Sequence, residues 1–254
     1  MSATRIVHIS DVHIGDAAKS LLDGAIQAIA NLKPDLIVLS GDLTQAGRRR
    51  EYAEAATFLA GMPAPILAAP GNHDAPVFDP WTRVVAPYKQ FNALPVVDRW
   101  AGECVAAAAI STARALQARL DWSQGVYRLE ALRSALAFGD RKPWRVVAAH
   151  HPPVTYAGAQ VQSNARRGRE ALSILKARER TLLLCGHSHG FDVQPLGHAS
   201  SAVIVAPTLA SGRPREGGHG FVAIEFAADR AVAALHLLQK DGSFAETERR
   251  EFVN

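Results

Sequence analysis

Residues 5–13 read RIVHISDVH, a short apolar run that passes directly into the polar group Asp11-Val12-His13. Four later stretches repeat this arrangement of an apolar run followed by polar residues. They are Leu36 to Ser40 before Gly41-Asp42, Ile66 to Ala69 before Gly71-Asn72-His73-Asp74, Val146 to Ala149 before His150-His151-Pro152-Pro153, and Thr181 to Cys185 before Gly186-His187-Ser188-His189. Short apolar runs of this kind predict buried β-strands. Because the carboxyl ends of strands in an open α/β sheet share one edge, we expect the polar groups to converge there.

The segments between the strands predict helices. Apolar residues recur at helical spacing over Ala18 to Asn31, and Glu51 to Leu59 is a second helix. This β-α-β-α-β order predicts a largely parallel sheet with right-handed crossovers. Further helices are expected over Leu129 to Phe138 and Ala165 to Arg178.

Two expectations concern the remaining parts of the chain. The runs Ala202 to Val205, Phe221 to Phe226 and Val232 to Leu238 alternate or are β-branched, so they predict a second, mostly antiparallel sheet. Between the third strand and residue 99 the chain is irregular and rich in proline. We expect its aromatic residues to cluster over the sheet edge, with a lining of the substrate pocket as the alternative; they are Phe78, Trp81, Tyr88 and Phe91.

Composition places the chain among ordinary globular proteins. Its 254 residues fit a single domain over 1–254, with 48% apolar and 20% charged residues. A formal charge of +4 suits a small anionic substrate but is too weak to indicate nucleic acid. No run approaches the ~20 apolar residues that span a bilayer. The two cysteines, Cys104 and Cys185, lie in apolar runs and do not indicate a disulfide framework, so a cytoplasmic location is expected.

The polar groups share a chemistry that suits metal ions. Seven residues offer a donor: Asp11, His13, Asp42, Asn72, His150, His187 and His189. Carboxylate oxygen, amide oxygen and imidazole nitrogen together favour divalent transition metals such as Mn, Fe or Zn. Seven donors exceed the needs of one tetrahedral ion and fit two ions that share a bridging carboxylate.

The ordered set D-x-H, G-D, G-N-H-D, His and G-H-x-H resembles the calcineurin-like metallophosphoesterase superfamily, over Ile6 to His189. The His-His-Pro-Pro form and small size are most similar to its bacterial class III cyclic-nucleotide phosphodiesterases and glycerophosphodiesterases. The resemblance implies a four-layer α-β-β-α sandwich of two mixed sheets. It also implies two divalent metal ions and hydrolysis of a phosphate ester by a metal-bridging hydroxide.

Matched position by position, the resemblance assigns the candidate residues to roles. It gives one metal the ligands Asp11, His13 and His189, the other metal Asn72, His150 and His187, and makes Asp42 the bridge. It implies that His73 is not a ligand and protonates the leaving oxygen, and that Asp74 orients the His73 ring. His151 stays open: it can support the site from outside or be the ligand in place of His150, and we favour His150.

The expected activity is hydrolysis of a small phosphodiester such as a cyclic nucleotide or a glycerophosphodiester. A phosphomonoesterase, a nucleic-acid nuclease and a catalytically inactive scaffold of the same superfamily are the alternatives. No residue is assigned to substrate binding, although Arg166 and Arg167 can contact the substrate phosphate or its leaving group. The other histidines are expected to be structural or to lie on the surface; they are His8, His198, His219 and His236.

Overall fold

The computed structural model describes residues 3–116, 123–138, 140, 142–155, 165–214 and 218–253. Within these residues the strands are β1 (Thr4–Ile9), β2 (Leu36–Leu39), β3 (Ile66–Ala68), β4 (Arg99–Ala101), β5 (Val105–Ala109), β6 (Trp144–Ala148), β7 (Thr181–Cys185), β8 (Asp192–Pro195), β9 (Ala202–Val205), β10 (Gly220–Phe226), β11 (Arg230–Leu238) and β12 (Phe244–Val253). The α-helices are α1 (Lys19–Leu32), α2 (Arg49–Ala60), α3 (Pro80–Val85), α4 (Leu129–Ala137) and α5 (Gly168–Lys176). A 3₁₀ turn covers Phe91–Ala93.

The strands form two six-stranded sheets. The first has the order β12-β11-β10-β1-β2-β3, and the second has the order β4-β5-β6-β7-β9-β8. In the first sheet β1, β2 and β3 are parallel, whereas β10, β11 and β12 are antiparallel. In the second, β5, β6, β7 and β9 are parallel, and the edge strands β4 and β8 are antiparallel to their neighbours. Both sheets are therefore mixed, as predicted.

Three apolar clusters define four layers. One cluster lies between the two sheets and joins Leu36 and Val38 of β2 to Val146 of β6. A second packs α1 and α2 on the outer face of the first sheet, through residues such as Ile29. A third packs α4 and α5 on the outer face of the second sheet, through residues such as Leu132. The order helix, sheet, sheet, helix confirms the predicted four-layer sandwich.

The prediction of a separate antiparallel sheet at the C-terminal end is wrong. Ala202–Val205 is β9 and lies parallel to β7 inside the second sheet, where all four residues are buried. The hairpin strands β10, β11 and β12 extend the first sheet by pairing with β1. Strand β10 pairs with the edge of β1 that faces away from β2, because β2 and β3 lie only on the opposite side of β1.

The expected aromatic cluster forms only in part. Phe91 is buried in the cluster between the first sheet and its helices, and Tyr88 packs against the same cluster. Phe78 and Trp81 are instead 68% and 76% exposed. Arg83 donates to the carbonyl groups of Ala75 and Pro76, and the Arg48 guanidinium lies 4.3 Å from the centre of the Phe78 ring, so polar and cationic groups also hold this segment.

Cys104 and Cys185 are both free and buried. Burial raises the pKa of the Cys185 thiol. No helix among the described residues is long and apolar enough to cross a membrane.

Candidate metal centre

The candidate residues come from two sheets and not from one sheet edge. Strands β1, β2 and β3 of the first sheet supply Asp11, Asp42 and Asn72, while β6 and β7 of the second supply His150 and His187. The loops interlock: the Asp11 amide donates to Gly41 O at 3.0 Å, and the His187 amide donates to Asp11 Oδ2 at 2.9 Å. The parallel parts of both sheets end at the same place, so the donors converge as predicted although they belong to two sheets.

One half of the cluster contains Asp11, His13 and His189. His189 Nε2 lies 3.2 Å from Asp11 Oδ1 and 3.2 Å from His13 Nε2. His13 Nε2 lies 3.8 Å from Asp11 Oδ1. Their donor atoms all fall within 4.8 Å of one another, so these side chains can hold one ion.

The other half contains Asp42, His150 and His187. Asn72 comes just before His73, whose amide donates to Asp42 Oδ1 at 2.9 Å. His150 Nε2 lies 3.2 Å from Asp42 Oδ2 and 3.3 Å from His187 Nδ1. Asp42 Oδ2 also lies 3.8 Å from His13 Nε2, so this oxygen stands between the two halves. That is the position a bridging carboxylate needs.

The outer ring nitrogen of three histidines is held by a hydrogen bond. Nδ1–H of His150 donates to Ser40 O at 2.8 Å, and Nδ1–H of His189 donates to Arg213 O at 3.1 Å. His13 Nδ1 pairs with the Gln45 side-chain oxygen at 2.8 Å. A neutral imidazole with its proton on Nδ1 presents the Nε2 lone pair, and all three Nε2 atoms face the cluster.

The donor atoms fit positive ions because they cannot form favourable hydrogen bonds with one another. The Nε2 atoms of His13 and His189 bring two lone pairs within 3.2 Å. Asp11 Oδ1 and Asn72 Oδ1 are buried without a hydrogen-bond partner among the described residues. A buried oxygen without a donor is costly, whereas a cation satisfies several such atoms at once. The residues present therefore fit divalent metal ions.

Backbone conformation marks the same residues. Five candidate ligands have a positive φ: Asp11, His13, Asp42, His187 and His189, with values from 50° to 70°. Within the described chain only Lys33, Arg167 and Arg180 are further residues other than glycine in this region. A left-handed residue costs of order 1–3 kcal/mol and persists where the surroundings enforce it. The strained turns aim these side chains at one point.

Burial and the neighbouring charges shift the pKa values of the acidic and histidine side chains in the centre. Burial alone would raise the pKa of both carboxyl groups. The neighbouring His189 outweighs this effect at Asp11 and holds its pKa well below the usual range, and His150 does the same at Asp42. Burial acts to lower the pKa of His150, but Asp42 outweighs it and raises the value to about 9. Burial and His150 lower the pKa of His187 to about 4. The two carboxylates are ionised, as metal binding requires.

His73 lies at the cluster, but Asp74 does not orient it. His73 Nδ1 donates to Gln45 O at 2.7 Å, and the His73 ring contacts the His13 ring at 4.8 Å between centroids. The Asp74 carboxylate is fully buried and accepts from the amides of Thr44 and Gly71. Burial and Asp42 raise its pKa to about 6. The predicted orienting role of Asp74 is therefore wrong: Asp74 braces the loops, and the Gln45 carbonyl holds the ring.

His151 has both ring nitrogens occupied. Its Nδ1 accepts from Thr112 Oγ1 at 2.9 Å, and its Nε2–H donates to Ser123 O at 2.7 Å. The ring packs 4.7 Å from His150 and 4.6 Å from His187. Burial lowers its pKa well below the usual value. Both ring nitrogens of His151 are thus hydrogen-bonded, although one nitrogen each from His150, His151 and His187 also lie within 4.8 Å of one another. The preference for His150 as the ligand stays a prediction.

The remaining histidines lie apart from the centre. His8 is buried between the sheets with Nε2 against Ser40 Oγ at 2.8 Å. His198 Nε2–H donates to Lys176 O, His219 Nε2–H donates to Ser211 O, and His236 stacks on Phe221. These observations agree with structural or surface roles.

The predicted substrate arginines are exposed. Arg166 pairs through its backbone with the segment around Val126, and Arg167 precedes the first residue of α5. Residues 156–164, which come before these arginines, lie outside the described residues. Nothing in the described contacts brings either guanidinium to the metal centre.

Sequence analysis missed the residues that hold the ligands. Gln45 contacts His13 through its side chain and His73 through its carbonyl group. Thr208 Oγ1 donates to Asp11 O at 2.6 Å, and Ser40 O accepts from His150. A polar residue three places after Asp42 is a weak signal for Gln45, and no pattern points to Thr208, which is 197 residues from its partner.

Comparison with known proteins agrees with this geometry. The profile of the calcineurin-like phosphoesterase family matches residues 4–191. The chain belongs to this family. The expectation of a metal-dependent phosphoesterase is thereby confirmed at the level of the family.

Individual relatives of this calcineurin-like phosphoesterase are distant. The chain is 27% identical over 215 residues to the glycerophosphodiester phosphodiesterase GpdQ of Enterobacter lignolyticus, which covers 79% of this chain and 76% of the relative. It is 27% identical over 203 residues to a Synechococcus protein named "Probable cyclic nucleotide phosphodiesterase", with 76% of each chain covered. A dimetal phosphatase from Danio rerio has a TM-score of 0.69 at 14% identity, with 98% of both chains covered, which shows a shared fold.

Proposed function

We propose that this calcineurin-like phosphoesterase hydrolyses a small phosphodiester at a centre of two divalent metal ions. One observation carries the proposal: Asp42 Oδ2 lies 3.2 Å from His150 Nε2 and 3.8 Å from His13 Nε2, so one carboxylate reaches both halves of the centre. An isolated metal site needs only one such half. A shared carboxylate between two groups is the arrangement that clamps both oxygens of an in-line displacement.

The residues divide the work as follows. Asp11, His13 and His189 would hold one ion, and Asn72, His150 and His187 would hold the other. Bound metal ions lower the pKa of coordinated water and offset phosphate charge. His73 Nδ1–H donates to the Gln45 carbonyl, so the protonated ring carries its second proton on Nε2 and could give that proton to the leaving oxygen.

The preference for a diester rests on charge and on the relatives. A diester carries one negative charge, whereas a monoester carries up to two near neutral pH and commonly meets additional cationic donors. The described centre is built from histidine, aspartate and asparagine, and Arg166 and Arg167 lie away from it. The two curated relatives are named for a glycerophosphodiester and for cyclic nucleotides.

The test combines metal content with turnover. Purified protein should bind two equivalents of Mn, Fe or Zn and show a higher kcat/KM for bis(p-nitrophenyl) phosphate than for p-nitrophenyl phosphate. His189→Ala should lose metal and activity, while the surface variant His198→Ala should keep both. A folded protein that binds metal but cleaves neither ester would support an inactive scaffold. A monoester preference that Arg166→Ala or Arg167→Ala weakens would contradict the diester assignment.

A variant of His73 separates proton donation from metal binding. His73→Ala should keep both ions and lower kcat by roughly 10²–10⁴ for an alkyl ester, because a general acid contributes about that much. The loss should be smaller for a nitrophenyl ester, whose leaving group needs little protonation. Loss of metal would make His73 a ligand instead.

A further inference from the structure

The short helix α3 turns its apolar side toward solvent. Trp81, Val84 and Val85 occupy positions i, i+3 and i+4, which share one face of a helix, and all three are more than half exposed. Arg83 lies on the other side of the helix and is buried. Surface helices ordinarily place the apolar stripe inward and the charged residues outward. The reversed arrangement in α3 indicates an interaction surface.

The segment before the helix extends this apolar surface. Val77 and Phe78 precede α3 and are also more than half exposed. Eight large apolar side chains are exposed in the described part of the chain, and five of them fall within Val77–Val85. These five, here called the α3 patch, are Val77, Phe78, Trp81, Val84 and Val85. Single exposed apolar residues are ordinary, whereas a concentration of this kind marks a site of interaction.

Polar contacts hold α3 in this orientation. The Asp79 carboxylate caps the helix by accepting from the Thr82 amide at 2.9 Å. On the inner side, the Arg83 guanidinium donates to Ala75 O at 3.2 Å and to Ala115 O at 2.7 Å. The fold therefore positions the helix through its inner face, and the side chains of the α3 patch can be replaced without loss of these contacts.

The α3 patch adjoins the metal centre. The Val77 amide donates to Ala46 O at 3.0 Å. The residue before Ala46 is Gln45, which contacts His13 through its side chain and His73 through its carbonyl group. A surface that binds the patch would therefore lie close to the candidate ligands.

Arginine side chains lie beside the patch. The Arg48 guanidinium is 4.3 Å from the centre of the Phe78 ring. Hydrogen bonds from Thr82 lower the pKa of the Asp79 carboxyl group, and the positive charge of Arg49 adds to this shift, so Arg49 also lies near the start of α3. Apolar and cationic groups therefore stand next to each other on this part of the surface.

The charge around the patch favours an anionic partner. Residues 45–54, 75–89 and 112–116, which form the patch or support it, carry six basic and three acidic residues. Tryptophan is enriched where lipid headgroups meet acyl chains, and basic residues beside apolar ones attract anionic lipids to such a surface. Each basic residue near the membrane adds to the attraction, which salt screens.

We propose that the α3 patch attaches the protein peripherally to an anionic lipid surface. Trp81, Val84 and Val85 would enter the boundary between headgroups and acyl chains, while Arg48 and Arg49 would lie among the anionic headgroups. Attachment of this kind needs neither a spanning helix nor the proposed phosphodiesterase activity.

Flotation with lipid vesicles tests the apolar part of this surface. The metal-loaded full chain should float with vesicles of phosphatidylcholine and phosphatidylglycerol in equal amounts and not with vesicles of phosphatidylcholine alone. Trp81→Ser should lower the partition coefficient about 10- to 100-fold, the value of burying one large apolar side chain. Val85→Ser should act in the same direction. The matched control Val253→Ser, which changes an exposed valine on β12, should bind like the wild type.

The same assay tests the charged part. Arg49→Gln should lower binding about 5-fold, the value of one basic residue near an anionic membrane. The matched control Arg133→Gln changes an exposed arginine on α4 and should have no effect. Added sodium chloride should weaken the binding of the wild type. Circular dichroism and metal content should be unchanged in every variant, because all the replaced side chains are exposed.

Three results would overturn the lipid assignment. One is a wild-type protein that does not bind the anionic vesicles, and another is equal binding to anionic and neutral vesicles. The third is equal binding of the wild type and Trp81→Ser. Analytical ultracentrifugation without lipid provides a further check: a dimer that Trp81→Ser dissociates would assign the α3 patch to a second copy of the chain and overturn the proposal.

Discussion

Replacement of Gly71 by alanine should displace Asp42 and so disable the metal centre. A Cβ atom at position 71 would lie 2.1 Å from Asp42 Oδ1 and 2.4 Å from the Asp42 amide nitrogen. Real Cβ atoms essentially never approach closer than 3.0 Å, so the carboxylate has to move by about 0.9 Å. The φ of Gly71 lies outside the left-handed region, so alanine would fail here through lack of space and not through backbone conformation.

The size of the effect follows from that displacement. Asp42 Oδ2 stands 3.2 Å from His150 Nε2 and 3.8 Å from His13 Nε2, so a shift of this size disturbs both halves of the centre. A misplacement of about 1 Å can cost roughly 10²-fold in rate. We expect kcat/KM to fall by about that factor, while overpacking lowers the free energy of unfolding by about 1–3 kcal/mol.

Gly24 provides a matched control. It lies inside α1, and a Cβ atom there would meet its nearest neighbour at 3.9 Å. Gly24→Ala should keep metal content and turnover, and should raise the free energy of unfolding by about 0.5–1 kcal/mol through helix propensity. Metal content is measured by mass spectrometry and stability by urea denaturation. A Gly71→Ala protein with two bound ions and wild-type kcat/KM would refute the bridging position of Asp42.

Three other variants test separate parts of the structure. Asp42→Asn should lower the content of both ions, because it removes the charge that faces both halves; retention of two tightly bound ions would contradict the bridge. Gln45→Ala should weaken metal binding about 10- to 100-fold in competition with a chromophoric chelator, because it frees the outer nitrogen of His13; an unchanged affinity would exclude this supporting role. His8→Gln tests a buried base whose pKa burial lowers to about 3. The folded protein favours neutral His8, so this stability is complete above about pH 6.5 and is lost as the pH falls toward 3. Between pH 7 and pH 5 the metal-free wild type should lose roughly 2 kcal/mol from this group, and urea denaturation should show the smaller loss in the variant.

Local sequence pattern predicts the strands and the candidate ligands because both depend on neighbours along the chain. An apolar run followed at once by a donor residue fixes which end of the strand carries that donor, as Asp11 after β1 shows. The sequence also contains the signal that places Ala202–Val205 correctly. Its four consecutive apolar residues are typical of a strand that is covered on both faces in a parallel sheet. The sequence pattern does not predict which strands pair. The alternation in β10 indicates a strand but does not indicate that it pairs with β1.

The error over Asp74 has a physical cause. Adjacent residues in a turn direct their side chains differently, so the neighbour of His73 in sequence is not its neighbour in space. The turn leaves the amides of Gly71 and Thr44 in need of an acceptor, and the buried carboxylate satisfies both. A backbone carbonyl at Gln45 takes the orienting role instead, and a backbone group has no signature in the sequence.

Breaches of ordinary folding rules identify the functional site more sharply than any single motif. The candidate ligands combine left-handed backbone at residues other than glycine, lone pairs that face each other, and buried oxygens without donors. Each feature opposes folding, and natural proteins keep such conflicts where function requires them. The binding of cations at one point would compensate for all three unfavourable features. A structural role for these residues would explain the burial but not the coincidence of all three features on Asp11, His13 and His189 and their neighbours.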